Sequence, residues 1–111
     1  MKNFVIALIL LILIIAFTIV NSVIITNIAD KLIQMVNGDI NQLEDYWQEK
    51  YYYISISTHS AVLEEADIAI SDMRAYLETE SYEDYNAAKK RFLNAVDEIK
   101  TGEMAVLYNI F

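Results

Sequence analysis

The stretch YYYISISTHS, residues 51–60, decides between an all-helical fold and a mixed one. Its isoleucines alternate with serines, which is typical of an amphipathic β-strand. However, the flanking segments QEK and AVLEEAD contain no glycine or proline, and no other segment alternates, so a strand would lack both turns and a partner. On a helical wheel, one narrow stripe holds Ile40, Leu43, Trp47, Tyr51, Ile54, Thr58 and Ala61. The stretch is therefore predicted to be helical.

The apolar stripe changes phase just after this stretch. Beyond Ser60 it is displaced by roughly a quarter turn and consists of Val62, Leu63, Ala66, Ala69, Ile70, Met73 and Leu77. Hydroxyl side chains cluster at the change of phase, and such side chains can bond to the carbonyl one turn earlier and bend a helix. We therefore predict a helix from residue 40 to about Glu78, with a kink or short break near residues 57–60.

The amino-terminal part of the chain is apolar enough to cross a membrane. Residues 4–25 carry no charge, and as a helix they would be about 33 Å long, against about 30 Å for the hydrocarbon layer. A cleaved signal peptide would need a shorter apolar centre and a small-x-small site, and the candidates near residues 16–22 are poor. A buried core helix is the third alternative. We predict that residues 1–25 are a retained anchor and that residues 4–25 contact the lipid bilayer.

The charge distribution predicts the orientation of this anchor. Lys2 precedes the apolar segment, whereas the first basic residue beyond it is Lys31, which follows Asp30. The positive-inside rule then places the amino terminus in the cytoplasm and the carboxyl-terminal domain outside the cell membrane. The formal net charge of −8 disfavours nucleic acid and anionic lipid as partners. The chain has no cysteine, which excludes disulfides and a lipoprotein anchor.

Helix signals divide the rest of the chain. The apolar spacing continues through residues 26–37 as an amphipathic extension, Asn37-Gly38 ends it, and Asp39 with Gln42 begins the next helix. The short linker 79–81 predicts an antiparallel hairpin, and Gly102 is expected to separate a short carboxyl-terminal helix. The predicted fold is all-α: a transmembrane helix continuing into an amphipathic helix, a long helical hairpin and a short last helix. Residues 39–111 form the extracytoplasmic hairpin or small bundle.

The order of features resembles an uncharacterised bacterial family. The features are an amino-terminal span, Trp47, His59 followed by a hydrophobic-acidic helix, and the closing LYNIF of residues 107–111. Together they resemble domain-of-unknown-function family 4363, whose members are short single-span helical membrane proteins. The resemblance covers most of the chain. It implies an anchored helical domain and carries no activity with it.

The residues offer little for catalysis. His59 is the only histidine, so with no cysteine the chain has neither a Cys/His dyad nor a thiolate or multi-histidine zinc site. Ser60, His59 and Asp67 could form a nucleophilic triad, but no nucleophile elbow or glycine-lined oxyanion site accompanies them. We interpret His59 as a core or interface residue or as a proton sensor, with Glu65 on the acidic face nearby. We predict no enzymatic activity, cofactor or metal site.

The aromatic residues point to contacts with other molecules. Eight tyrosines and one tryptophan exceed what a small hairpin can enclose, and both residue types suit interfaces. We predict that Tyr46, Trp47, Tyr52 and Tyr53 contact a protein partner or a second copy of the chain; alternatively Trp47, Tyr51 and Tyr85 fill the core. The predicted function is a non-enzymatic, membrane-anchored module that binds another envelope or membrane protein or itself. The alternative is a small sensory or ligand-binding domain that acts through a partner.

Overall fold

The computed structural model describes residues 1–110, with side chains through Asn109, and this range folds into four helices. They are α1 (Lys2–Met35), α2 (Ile40–Ser55), α3 (Ser60–Glu78) and α4 (Tyr82–Ile110). The predicted all-α fold with a long apolar first helix is confirmed. The described chain measures 68 × 22 × 22 Å, because α1 extends well beyond the bundle formed by the other helices.

The stretch YYYISISTHS, residues 51–60, is helical up to Ser55, and the chain then reverses direction. Residues 56–59 form the turn, in which the amides of Ser57 and Thr58 both donate to the carbonyl of Ile54. The chain becomes extended at His59, with φ −60° and ψ 134°, and α3 begins at Ser60. The predicted break is therefore confirmed, and it is a full turn between two antiparallel helices.

Hydrogen bonds between α2 and α3 join residues that lie at similar distances from this turn. Trp47 Nε1 donates to Asp67 Oδ1 at 3.0 Å, and Arg74 Nε donates to Glu44 Oε2 at 2.6 Å. Helix α1 contacts α2 and α4, and helix α3 contacts the same two helices. The four helices therefore form an up-down-up-down bundle. The amphipathic extension of α1 thus forms one of the four walls of the core.

The turns between helices follow local capping chemistry. The Asp39 side chain accepts a hydrogen bond from the amide of Asn41 at 2.8 Å, which confirms the helix start predicted there. The linker between α3 and α4 is the predicted one, and Glu80 within it has a φ of 57°. In contrast, α4 continues through Gly102, so the short carboxyl-terminal helix expected after this glycine is the last part of α4 itself.

The core is apolar and lies between the four helices. Trp47 packs edge-on against Phe92 with ring centroids 5.9 Å apart. The fully buried large side chains at the centre are Ile25, Leu32, Leu43, Trp47, Ile54, Ile70, Met73, Phe92 and Val96. Burying one such side chain stabilises the fold by about 1.5–3 kcal/mol. The covered part of α1 therefore belongs to the stable centre of the protein.

The first half of α1 has no such cover. Residues 1–17 are all exposed, whereas Ser22 and Ile25, within the predicted anchor 1–25, are buried in the bundle. This helix is long and apolar enough to cross a membrane. The structure thus divides α1 into an uncovered apolar half and a half that is packed in the bundle.

Candidate functional site

A cleft of about 520 Å³ lies where α1, the α2–α3 turn and the end of α4 meet. Its walls are apolar over most of their area, and polar residues of α1, of the α2–α3 turn and of α4 also line it. The lining residues are Phe17, Thr18, Asn21, Ser22, Ile56, Ser57, Thr58, His59, Val62, Glu98, Ile99, Gly102, Glu103 and Val106. A cleft of this size, with polar groups set among largely apolar walls, is typical of small-molecule sites.

Glu103 contributes a buried carboxylate to the cleft wall. Glu103 is 5% exposed and accepts two hydrogen bonds, from Ser22 Oγ to Oε2 and from Ser57 Oγ to Oε1, each 2.7 Å long. The two serines belong to α1 and to the α2–α3 turn, so one carboxylate connects three separate parts of the chain. Helical spacing places Ile99, Glu103 and Val106 on the same side of α4.

A second polar group beside this carboxylate lacks a partner. Thr58 Oγ1 is buried, and no hydrogen-bond partner for it is present among residues 1–110. A buried hydroxyl without a partner costs about 1–3 kcal/mol. Thr58 also lines the cleft, but its Oγ1 has no surface open to it.

No basic side chain neutralises Glu103. Within the described part of the chain, the ion pairs closer than 4.0 Å join other residues. Lys100, which is one turn earlier on α4, pairs with Asp30 at 2.7 Å. Removing a carboxylate from water is costly when it lacks a counter-charge. The hydrogen bonds from the two serine hydroxyls therefore offset part of the cost of removing this carboxylate from water.

His59 lies in the cleft wall, in a different role from the one expected. Its side chain is exposed, and its Nδ1 accepts a hydrogen bond from the amide of Ala61 at 3.3 Å, which caps the start of α3. The interpretation of His59 as a core residue is therefore wrong, because the residue is exposed, and its roles at an interface or as a proton sensor stay predictions. Glu65 is exposed and lines a separate shallow depression with Glu64, Ile68 and Arg91. His59 and Glu65 do not share a site.

The residues considered for a nucleophilic triad have other partners. Asp67 accepts from the Trp47 indole, and the Nδ1 of His59 is occupied by the Ala61 amide. These bonds do not form the relay from serine through histidine to carboxylate that such catalysis requires. Residues 1–110 also contain no group of three or more histidine, aspartate or glutamate side chains able to hold a metal ion.

The four aromatic residues predicted to contact a partner differ in exposure. Trp47 is fully buried and unavailable to a partner, in agreement with the alternative that it fills the core. Tyr46 and Tyr53 are half-buried and packed against the core, whereas Tyr52 is 85% exposed. Lys31 Nζ lies 4.9 Å from the ring centre of Tyr46, and burial raises the pKa of the Tyr46 phenol, although nearby Lys50 partly offsets this.

Glu103 and its two serine donors are not among the residues predicted from the sequence. A signal for Glu103 was present, because it occupies a position on the apolar stripe of α4 between Ile99 and Val106. Ser22 likewise precedes Ile25 on the stripe of α1. A polar residue at a core position marks a site that needs an explanation. Ser57 carried no such signal, because its place in a turn depends on the packing of α2 against α3.

Comparisons of this chain with protein-family models, with curated proteins and with solved structures find no match. The resemblance to family 4363 therefore stays a prediction.

Proposed function

We propose that this chain is a single-pass membrane protein whose helical bundle acts by binding and has no enzymatic activity. The observation that carries the proposal is the uncovered apolar half of α1, in which residues 1–17 are all exposed. An apolar helix without protein cover is stable when lipid surrounds it, because lipid replaces the missing apolar contacts. The bundle then has a fixed place at the membrane surface.

The boundary of the bundle sets the depth of the anchor. The hydrocarbon layer requires about 20 helical residues, and residues 2–21 supply about 30 Å at 1.5 Å per residue. Ser22 is the first residue of α1 that the bundle buries completely. In this arrangement the cleft, whose wall includes Phe17, Thr18 and Asn21, opens where the helix leaves the hydrocarbon layer.

The charge distribution supports the orientation. Lys2 lies before the apolar half of α1, the first basic residue beyond it is Lys31, and all sixteen acidic residues lie from Asp30 onward. A cytoplasmic amino terminus and a bundle outside the cell membrane follow from the positive-inside rule.

The partner in the first form of this proposal is another membrane or envelope protein, or a second copy of the chain. Tyr52 is the most exposed of the predicted contact residues, and Ile56, 75% exposed, follows it by one turn. Tyrosine provides a large contact area with little loss of side-chain entropy. Tyr46 and Tyr53 are half-buried against the core, and helical spacing places them on a different face of α2 from Tyr52.

The cleft favours a second form, in which the bundle is a ligand-binding or sensory domain that acts through a partner. Its volume, its largely apolar walls and the fixed carboxylate of Glu103 are the features of a ligand site. Both forms require the same anchored bundle.

Labelling of single cysteines tests the anchor and its orientation. Asn41 and Asn94 are exposed at different places on the bundle, and the chain has no natural cysteine, so each substitution gives one reactive thiol. We expect Asn41→Cys and Asn94→Cys to react with an impermeant maleimide on intact cells, whereas Leu11→Cys, as a control within the apolar half, stays unreactive. Protection of Asn41→Cys and Asn94→Cys until the cells are permeabilised would contradict the orientation, and recovery of the chain in the soluble fraction would contradict the anchor.

Crosslinking tests the partner surface. A lysine-reactive crosslinker applied to intact cells should give a recurrent product, and Tyr52→Ser should reduce its yield. Tyr82→Ser is the matched control, because Tyr82 is also exposed but lies at the α3–α4 end of the bundle. Equal yields from both variants would contradict a contact role for Tyr52.

A further inference from the structure

The Glu103 carboxylate has acceptor capacity that the chain does not use. An ionised carboxylate offers about four acceptor positions, and the Ser22 and Ser57 hydroxyls occupy one on each oxygen. The two serines hold the carboxylate in a fixed orientation at the cleft wall. A donor that enters the cleft therefore meets a carboxylate that is already positioned.

The negative charge of this site favours a cationic ligand. Glu103 has no basic partner within 4.0 Å in the described chain, and Glu98 adds a second carboxylate to the cleft lining. The formal net charge of −8 further disfavours an anionic ligand. A cationic ligand would provide the counter-charge that the buried carboxylate lacks.

The donor atoms favour an organic cation over a metal ion. Divalent ions in proteins use several oxygen ligands, and the residues of the described chain form no group of three or more carboxylate or imidazole ligands. A primary ammonium group instead has three hydrogen-bond donors. Glu103, whose two oxygens each have acceptor capacity left, can accept from such a group.

The apolar walls indicate what the ammonium group is attached to. Phe17, Ile56, Val62 and Val106 form a large part of the cleft, and they suit an alkyl chain or another apolar group. The ligand is therefore an amphiphile that has an ammonium group at one end.

We propose that the cleft binds the primary ammonium group of an amphiphilic molecule, with Glu103 as its counter-ion. The inference deepens the ligand-binding form of the proposed function and rests on it. The ammonium group has two sources, a soluble alkylamine from the water or the headgroup of an aminolipid in the adjacent bilayer. Both present the same chemistry to Glu103.

The experiment uses the full chain in nanodiscs with labelled methyl groups. Methyl signals of Ile56, Val62 and Val106 report on the cleft, and that of Ile70 reports on the distant core. In nanodiscs of phosphatidylcholine alone, butylamine is titrated at neutral pH, with butanol as the uncharged control. In a second series, phosphatidylethanolamine replaces part of the phosphatidylcholine.

We expect the cleft methyl signals, and not that of Ile70, to shift with a saturable dependence on butylamine or on phosphatidylethanolamine, and butanol to have little effect. Saturation by butylamine in pure phosphatidylcholine identifies a soluble amine as sufficient. A response to phosphatidylethanolamine that butylamine does not compete away identifies the lipid headgroup as the source. Either pattern supports the proposal.

Matched variants test the role of Glu103. Glu103→Gln keeps the shape and removes the charge, and it should weaken amine binding by about tenfold or more. Glu65→Gln, the same charge change outside the cleft, should leave amine binding unchanged. Far-ultraviolet circular dichroism and Trp47 fluorescence establish that each variant is folded.

Two results would overturn the proposal: no saturable shift with either amine source in the folded protein, or equal amine affinity in Glu103→Gln and the unchanged chain. These results are distinct from failure of the anchor, because the maleimide labelling of Asn41→Cys and Asn94→Cys does not depend on any ligand. A correctly labelled, membrane-integrated protein that ignores amines would refute the ligand and leave the anchored bundle in place.

Discussion

The hydrogen bond between Trp47 and Asp67 is expected to hold α2 against α3, and its contribution can be worked out from the structure. The indole Nε1 donates to Oδ1 over 3.0 Å, and Trp47 is completely buried. In Asp67→Ala the buried indole N–H would have no acceptor, which costs about 1–3 kcal/mol. Because Asp67 is partly exposed, we expect a loss in the middle of this range, about 2 kcal/mol of the free energy of unfolding.

Three further variants separate this hydrogen bond from other effects. Asp67→Asn keeps an acceptor oxygen and should cost less than about 1 kcal/mol. Asp97→Ala removes a carboxylate from an exposed position on α4 and should change stability by less than about 0.5 kcal/mol. Trp47→Phe, combined with Asp67→Ala in a double-mutant cycle, should give a coupling energy of about 1–2 kcal/mol.

The assay is denaturant unfolding of the full chain in detergent micelles, followed by circular dichroism at 222 nm. Trp47 is the only tryptophan, so its fluorescence gives a second and local probe of unfolding in the Asp67 variants. If Asp67→Ala costs no more than Asp67→Asn or Asp97→Ala, the bond does not stabilise the bundle and the reasoning is refuted.

Three other changes give expectations for the core, for α4 and for the pH dependence of stability. Leu32→Ala removes a fully buried side chain and should lower the free energy of unfolding by about 2–5 kcal/mol in the same assay. Leu11→Ala, in the uncovered half of α1, should change bundle stability by less than about 0.5 kcal/mol. Equal losses from the two variants would contradict the division of α1. Gly102→Ala should stabilise α4 by about 0.5–1 kcal/mol, because a Cβ at this helical position meets no atom within 4 Å. A loss of stability would show that the position needs glycine. Burial raises the pKa of Tyr46 above its ordinary value of 10.0, so the unfolded chain releases this proton first and stability falls as the pH rises above about 10. Tyr46→Phe should therefore lose less stability than the unchanged chain between about pH 9 and pH 11 in parallel denaturant titrations, and identical pH profiles would contradict this.

The helices were predictable because their signals are local. Apolar residues at three- and four-residue steps, the Asp39 cap and the short linker at 79–81 each specify structure from neighbouring residues alone. The break near residues 57–60 was also visible as a change in phase of the apolar stripe. That the break reverses the chain was not visible, because a kink and a turn can begin with the same residues. The choice between them depends on whether α2 packs on α3.

The site was less predictable, because it is made by residues far apart in the chain. Ser22, Ser57 and Glu103 come together only when α1, the α2–α3 turn and α4 are packed. Taken segment by segment, the sequence draws attention to His59 as a candidate site residue, because it is the only histidine. In the structure His59 caps α3, and the buried carboxylate nearby is the chemically unusual group.

Glu103 occupies a position where an apolar residue would serve stability at least as well. Replacing a buried charge and its partners by apolar side chains of similar size is often neutral or stabilising by about 1–4 kcal/mol. We therefore expect the double variant Ser22→Ala/Glu103→Leu to unfold at the same or a higher denaturant concentration than the unchanged chain, while butylamine no longer shifts the cleft methyl signals. Loss of more than about 2 kcal/mol of stability would instead show that the carboxylate is a structural link between α1, the turn and α4. A more stable protein that has lost its ligand would show that the buried carboxylate is present for binding, because its contribution to folding does not account for it.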